Sequence, residues 1–309
     1  MQIILQLALL ALGFVMLVKG SDWFVDGAAG IAAKVHIPQI VIGLTIVAMG
    51  TSAPEAAVSI TAASAGSADI TVGNIVGSNI LNVLIILGLS AAIIAVPIGK
   101  STQKVDAPFM IAISGIFLLL GWDGTITRLD GVILLVLFVS YIGYMIWEAL
   151  HSNEEGDEIK DSPVWKLLLA TVGGMAVIIL GADVAVGAAT KLAQIFGMSE
   201  RFIGLTIVAL GTSLPELFTS VTAARKGNAD IAIGNIVGSN IFNILFVVGL
   251  SSMVINVPFA ANFRIDMLVA IASCVFIWLA ALKSKKLARW AGFTMLLGYV
   301  GYFIYLLMV

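Results

Sequence analysis

Charge is scarce in this chain. Of 309 residues only 11% are Asp, Glu, Lys or Arg, against 60% hydrophobic, and the mean hydropathy is +1.10. Soluble domains carry about 25% charged residues. So little polar surface cannot cover a water-facing globule, which excludes a soluble enzyme or binding module. Basic residues are not in excess either: 16 Lys and Arg face 18 Asp and Glu, a formal charge of −2, so nothing offers a nucleic-acid surface. The lone cysteine, Cys274, has no intrachain partner and reads as a buried core thiol. With two His and one Cys, no cluster suits zinc, copper or iron. The N-terminal apolar run lacks a positive leading segment and a small-residue cleavage site, so it is expected to be a retained membrane helix.

What the chain does have is long apolar runs. A spanning helix needs about 20 such residues. The pattern predicts an all-α polytopic membrane protein with ten transmembrane helices, near 3–33, 38–64, 70–97, 106–122, 129–149, 165–190, 201–224, 230–257, 265–282 and 289–308. The clearly hydrophilic stretch, 151–163, holds Glu154, Glu155, Asp157, Glu158 and Asp161. It reads as a solvated linker between residues 1–150 and 164–309, with no EF-hand pattern. With the N-terminus outside, loops facing the cytoplasm hold eleven basic residues, Lys283, Lys285, Lys286 and Arg289 among them, and outer loops hold four, Arg128, Lys191, Arg201 and Arg264. This bias predicts both termini outside and the linker in the cytoplasm.

The chain repeats itself at an offset of 161. Gly43 to Glu55 (GLTIVAMGTSAPE) matches Gly204 to Glu216 (GLTIVALGTSLPE), and Gly73 to Asn82 matches Gly234 to Asn243. Between 43 and 97 there are 35 identities in 55 positions without a gap. Each half holds five predicted helices. An odd number makes equivalent helices cross in opposite directions, so the halves form two inverted five-helix repeats. That arrangement marks secondary transporters, whose substrate sites lie at the repeat interface on interrupted helices.

Glu55 and Glu216 stand in the middle of otherwise apolar spans. A carboxylate there costs roughly 2.5–3.5 kcal/mol on insertion scales. No Lys or Arg in the neighbouring spans is placed to pair with it, which leaves a protonated, hydrogen-bonded Glu or a cation ligand. Thr51, Ser52 and Glu55 fall within about one turn, with Pro54 expected to break the helix and free carbonyls from Ala48 to Thr51. Thr212, Ser213, Pro215 and Glu216 repeat this. Ser78 with Asn82, and Ser239 with Asn243, are spaced i, i+4 and share a helix face. All are hard oxygen donors, suited to Ca²⁺ or Na⁺ and less to Mg²⁺. Two carboxylates balance one Ca²⁺ or two Na⁺. Gly73 and Gly77, and Gly234 and Gly238, are G-x-x-x-G steps expected to let helices pack closely. Asp22 and Asp183 read either as acids near a water-filled mouth of sliding helices or as interfacial helix-end acids.

The paired G-T-S-x-P-E and G-S-N-x-x-N blocks resemble the repeats of the cation/calcium antiporter superfamily, in its prokaryotic sodium/calcium exchanger branch. The resemblance spans nearly the whole chain. It implies electrogenic Na⁺/Ca²⁺ exchange by alternating access in the inner membrane, with no bound cofactor and with a monomer sufficient for transport. It also implies that Glu55 and Glu216 are the central Ca²⁺ ligands. Thr51, Ser52, Thr212, Ser213, Ser78 and Ser239 would help form the Na⁺ and Ca²⁺ sites, carbonyls of Ala48 and Ala209 would contribute, and Asn82 and Asn243 would complete the set. The archaeal-type exchangers place an Asp where Asn243 stands, so this chain has one carboxylate fewer. H⁺ coupling or K⁺ dependence is the alternative within this class. A passive cation channel is disfavoured by the inverted repeat, and an intramembrane hydrolase by the absence of a base beside the serines.

Overall fold

The computed structural model describes residues 2–151, 162–198 and 209–308. The acidic residues of the predicted linker, and the start of the predicted seventh helix with Arg201, lie outside the described residues. The helices are α1 (Gln2–Lys34), α2 (Gln39–Thr51), α3 (Ala53–Ser64), α4 (Ile70–Ile93), α5 (Thr102–Asp123), α6 (Arg128–His151), α7 (Val164–Ile195), α8 (Ala209–Thr212), α9 (Leu214–Arg225), α10 (Ala229–Val254), α11 (Phe263–Ser284) and α12 (Arg289–Met308). Among the described residues, eight of these are long and apolar enough to span a membrane. A ninth span is α2 with α3, bent by 49°. α8 and α9 are interrupted at Ser213 as α2 and α3 are at Ser52, and the start of that span lies outside the described residues.

Burial sorts the helices into a centre and a lipid-facing ring. The apolar windows of α4 and α10 are 83% and 94% buried, whereas those of α1, α6 and α12 are 22% buried. The exposed leucines and valines of the outer helices therefore face the bilayer. Exposed Trp122, Trp147, Trp165 and Trp290 sit at helix ends, where an amphipathic ring suits the membrane–water boundary.

The two halves interlock. α4 of the first half packs on α12 of the second, and α10 packs on α6. α1 and α7 lie against each other over their whole length. Their contacts run in opposite senses: Gly13 meets Ala185, Gly20 meets Gly174 and Ile178, and Gly27 meets Thr171 and Leu167. Equivalent helices of the two repeats are thus antiparallel, as the odd helix count requires. A Cβ on Gly27 would stand 2.4 Å from Thr171 Oγ1, and one on Gly20 2.9 Å from the Gly174 carbonyl. Only glycine allows this approach. At 33 residues, α1 is about 50 Å long, well beyond the roughly 30 Å hydrocarbon core, so it crosses tilted or extends past the membrane.

Two features differ from the sequence reading. Predicted helices three and eight end early, at Ile93 and Val254, because Ile94 and Ile255 turn extended. The Val–Pro pairs that follow form β1 (Val96–Pro97) and β3 (Val257–Pro258); a residue before proline is pushed out of the α region. β1 pairs antiparallel with β4 (Lys286–Leu287), and β2 (Thr125–Ile126) with β3. These short ladders tie a loop of one half to a loop of the other. The second difference is in the G-x-x-x-G steps. Gly234 and Gly238 press on Gly43 and Leu44 as expected, whereas no described residue lies within 4 Å of a Cβ on Gly77, and Gly73 meets only the Phe263 ring. Residues 204–208, the repeat of 43–47, lie outside the described residues.

Candidate cation site

The site is built on the helix breaks. α2 ends at Thr51, Ser52 leaves helical geometry (φ −82°, ψ 8°), and α3 restarts at Ala53 with Pro54 in its first turn. α8, Ser213 (φ −91°, ψ 5°) and α9 repeat the break. Proline is tolerated there because the first N–H groups of a helix lack partners in any case. The break places Glu55 and Glu216 in the first turns of α3 and α9, where the helix dipole favours a negative charge. Both are fully buried.

The expected freeing of carbonyls at the break is corrected at Ala48. Its oxygen accepts from the Ser52 amide at 3.0 Å, the Thr51 hydroxyl at 3.3 Å and the Ser239 hydroxyl at 3.4 Å, so proline has not left it empty. Ala209 opens α8.

The hydroxyls reach across the repeat interface. Ser52 Oγ donates to Glu216 Oε1 at 2.8 Å, and Ser213 Oγ donates to Glu55 Oε1 at 3.3 Å. Ser78 lies 3.4 Å from Glu55 Oε1 and 3.3 Å from Ser213 Oγ. Thr51 stands beside Glu216 and donates to Asn235 Oδ1 at 2.9 Å, while Thr212 stands beside Glu55. Ser239 departs from the symmetry, since it reaches Ala48 where Ser78 reaches a glutamate.

The amides of α4 and α10 hold one another. Asn79 and Asn240 each donate to the other's carbonyl at 3.3 Å. Asn82 Nδ2 donates to Asn240 Oδ1 at 3.0 Å, and Asn243 Nδ2 to Asn79 Oδ1 at 3.1 Å. Asn74 brackets Ser59 and the Glu55 carbonyl, and Asn235 brackets Ser220 and the Glu216 carbonyl. Sequence reasoning passed over Asn74, Asn79, Asn235 and Asn240. Their signal was present, since both repeated blocks contain them, and Asn74 and Asn235 even lie four residues before Ser78 and Ser239.

These bonds use the donors and leave acceptors bare. Glu55 Oε2, Glu216 Oε2, Asn82 Oδ1 and Asn243 Oδ1 are all buried without a hydrogen-bond partner. An unmet buried polar group costs about 1–3 kcal/mol, more when charged. Among the described ion pairs none involves either glutamate; those pairs join Lys226 to Asp22 at 3.2 Å and to Asp26 at 3.0 Å. Four bare acceptors, two of them carboxylate oxygens, are groups that suit a dehydrated cation.

A cavity of about 520 Å³ runs beside Pro54, Ala57, Val58, Asp183 and Thr212. It lies toward the face opposite the one carrying Lys34 and Ser162, which are joined by a 2.8 Å hydrogen bond. The repeat-related acids therefore differ: Asp183 lines an open mouth, and Asp22 is held by Lys226.

The sequence model described as "Sodium/calcium exchanger protein" matches residues 5–147 and 166–308. The chain belongs to the sodium/calcium exchanger family. The putative antiporter CaxA of Alkalimonas amylolytica is 37% identical over 302 residues, covering 94% of this chain and 95% of that protein. The sodium/calcium exchanger MaX1 of Methanosarcina acetivorans is 31% identical, covering 96% and 97%. A solved structure of the sodium-calcium exchanger NCX_Mj, soaked with zero Na⁺ and Ca²⁺, is 33% identical with a TM-score of 0.88, covering 98% of this chain and 99% of that one. The fold is accordingly that of the family, ten transmembrane helices in two inverted repeats, and the chain is a multi-pass membrane protein.

Proposed function

We propose that this protein is a secondary active antiporter that exchanges Ca²⁺ for Na⁺ by alternating access. The observation that carries the proposal is the set of four bare acceptors at the repeat interface, on Glu55, Glu216, Asn82 and Asn243. Ca²⁺ takes six to eight oxygen ligands and Na⁺ accepts the same donors. Thr51, Ser52, Thr212, Ser213, Ser78, Ser239 and the carbonyl of Ala209 complete the proposed ligand set, and the Ala48 carbonyl joins it by giving up the hydroxyls of Thr51 and Ser239. The kinship with proteins named sodium/calcium exchangers supports the same reading.

The charge balance supplies the coupling. Two carboxylates are neutralised by one Ca²⁺ or two Na⁺. A neutral site crosses between access states, whereas burying an empty site of charge −2 costs several kcal/mol per uncompensated ion. Exchange then proceeds without uncoupled leak. The antiparallel glycine faces of α1 and α7 give a smooth contact along which this pair slides. The cavity beside Asp183 and the Lys226 pairing with Asp22 and Asp26 support a state open to the face opposite the linker. We take that face as the outside, with both termini outside, the linker cytoplasmic and residues 1–150 and 164–309 as the two repeats. The transported ions are the ligands; the reading includes no bound cofactor and no enzymatic step, and one chain is sufficient for transport.

Asn243 favours a second possibility for the coupling ion. Its amide stands where the archaeal-type relatives place an acid, and protonatable glutamates could exchange H⁺ for Ca²⁺. Uptake of ⁴⁵Ca²⁺ into proteoliposomes loaded with Na⁺, beside vesicles with only a pH gradient, separates the two.

A further inference from the structure

One other group of buried acids lies away from the central site, at the membrane face that carries the linker. Asp106 is fully buried near the start of α5, and Glu148 is half-buried in the last turns of α6. Tyr141 donates to Asp106 Oδ1 at 3.4 Å, and Ser101 Oγ donates to Glu148 Oε1. The second oxygen of each acid, Asp106 Oδ2 and Glu148 Oε2, is buried with no partner. The Thr102 hydroxyl, 2% exposed, lies beside the Asp106 carboxyl. Thr102–Asp106 is a π-helical turn, a local widening frequent at functional sites. Among the described residues, no Lys, Arg or His forms an ion pair with either acid.

The second repeat serves as an internal control. There Tyr302 donates to Asp266 Oδ1 at 3.0 Å, so a Tyr–Asp bond ties α5 to α6 and, equally, α11 to α12. That bond belongs to the shared scaffold. The rest is not shared. Counted from the paired acids Asp106 and Asp266, Asn262 stands where Thr102 does, and counted from the paired tyrosines Tyr141 and Tyr302, Val309 stands where Glu148 does; α11 is a regular α-helix. The first repeat alone carries the second acid and the π turn, additions the scaffold does not need.

We propose that Asp106, Glu148 and Thr102, with Ser101, form a second site for a hard divalent cation of the Ca²⁺ class, peripheral to the transport site and open toward the linker face. Two carboxylates offset the charge of one such ion, and the hydroxyls add neutral oxygens of the kind it accepts. Glu148 and Ser101, both part-exposed, provide the way in. The inference does not depend on the coupling ion of the transport cycle.

Terbium luminescence tests it, because Tb³⁺ occupies Ca²⁺ sites and is sensitised by nearby aromatic rings. Tyr141, Tyr144 and Trp147 run in contact along α6, with ring centroids 6.4 and 6.3 Å apart, and serve as antennae. The full-length Glu55→Gln/Glu216→Gln variant silences the central site. It should still give sensitised Tb³⁺ emission that Ca²⁺ displaces. Adding Glu148→Gln or Asp106→Asn should weaken Tb³⁺ binding by about tenfold or more, whereas adding Asp266→Asn should leave it unchanged. Glu148 is part-exposed, so its variant decides the matter if Asp106→Asn lowers the yield of folded protein. No sensitised emission in the Glu55→Gln/Glu216→Gln protein, or emission that persists undiminished with Glu148→Gln, would overturn the proposal and leave the two acids as protonated scaffold groups.

Discussion

Glu55→Gln is the most informative single substitution. Glutamine keeps the shape of the side chain, and its amide oxygen can still accept from Ser213 and Ser78, which now lie 3.3 and 3.4 Å from Glu55 Oε1. The bare Oε2 becomes an NH₂ group, so a lone acceptor directed at the cation turns into a donor and the site loses one charge. Removing one partner from a buried ion pair costs about 3–5 kcal/mol. At 1.4 kcal/mol per decade, Ca²⁺ binding should weaken by about a hundredfold to several thousandfold, and Ca²⁺ exchange should vanish. The empty protein should behave in the opposite way: with one fewer uncompensated buried carboxylate, the variant in Na⁺-free, Ca²⁺-free buffer should melt no lower than wild type. A thermal melt followed with and without Ca²⁺ reads both effects. Ca²⁺ at about 100 times Kd stabilises wild type by about 2.7 kcal/mol, and the same concentration should leave Glu55→Gln unmoved. Equal Ca²⁺ stabilisation of both proteins would refute the assignment of Glu55 as a ligand, and Glu216→Gln should repeat the result.

Asn243→Asp should steepen the Na⁺ dependence of Ca²⁺ efflux more than it changes Ca²⁺ affinity; it adds a carboxylate and gives up the 3.1 Å bond to Asn79, and an unchanged Hill slope would contradict this. Gly20→Val should block the approach of α1 to α7, since even a Cβ there stands 2.9 Å from the Gly174 carbonyl; size-exclusion profiles and flux should both collapse, while Gly173→Ala, with no described residue within 4 Å of its Cβ, should resemble wild type. Lys226→Met should loosen the linker-side closure made with Asp22 and Asp26. Part-exposed pairs of this kind are worth about 0.2–1 kcal/mol, so a cysteine at Ala57, in the cavity wall, should react with a charged thiol reagent up to about fivefold more slowly as the open state loses population. Cys274 is buried and should not contribute to that signal.

Duplication made the centre of the molecule legible in advance. The offset of 161 exposes Glu55 with Glu216 and Ser52 with Ser213, and the odd number of helices per half predicts the antiparallel contact seen between α1 and α7. Contacts that join the halves were less legible. Nothing local to Asn79 or Asn240 indicates that each bonds the other's backbone, because that pairing exists only once α4 and α10 meet. The ends of α4 and α10 were placed a few residues late because apolar residues continue past Ile93 and Val254, and hydropathy does not register the extended turn that Pro97 and Pro258 impose. Symmetry also hid what the halves do differently. Asp22 and Asp183 are equivalent in sequence, yet one is ion-paired and the other lines a cavity, since an alternating-access protein must break its own symmetry to open on one side.

The central claim is that the bare oxygens of Glu55, Glu216, Asn82 and Asn243 exchange Ca²⁺ against Na⁺. Purified protein in proteoliposomes loaded with Na⁺ and diluted into Na⁺-free buffer with ⁴⁵Ca²⁺ tests it most directly. The account predicts uptake that requires the outward Na⁺ gradient and is absent from Glu55→Gln; a K⁺ diffusion potential set with valinomycin reads whether more than two Na⁺ move per Ca²⁺. Uptake that ignores Na⁺ and follows only a pH gradient would contradict Na⁺ coupling and point to Asn243 as the reason.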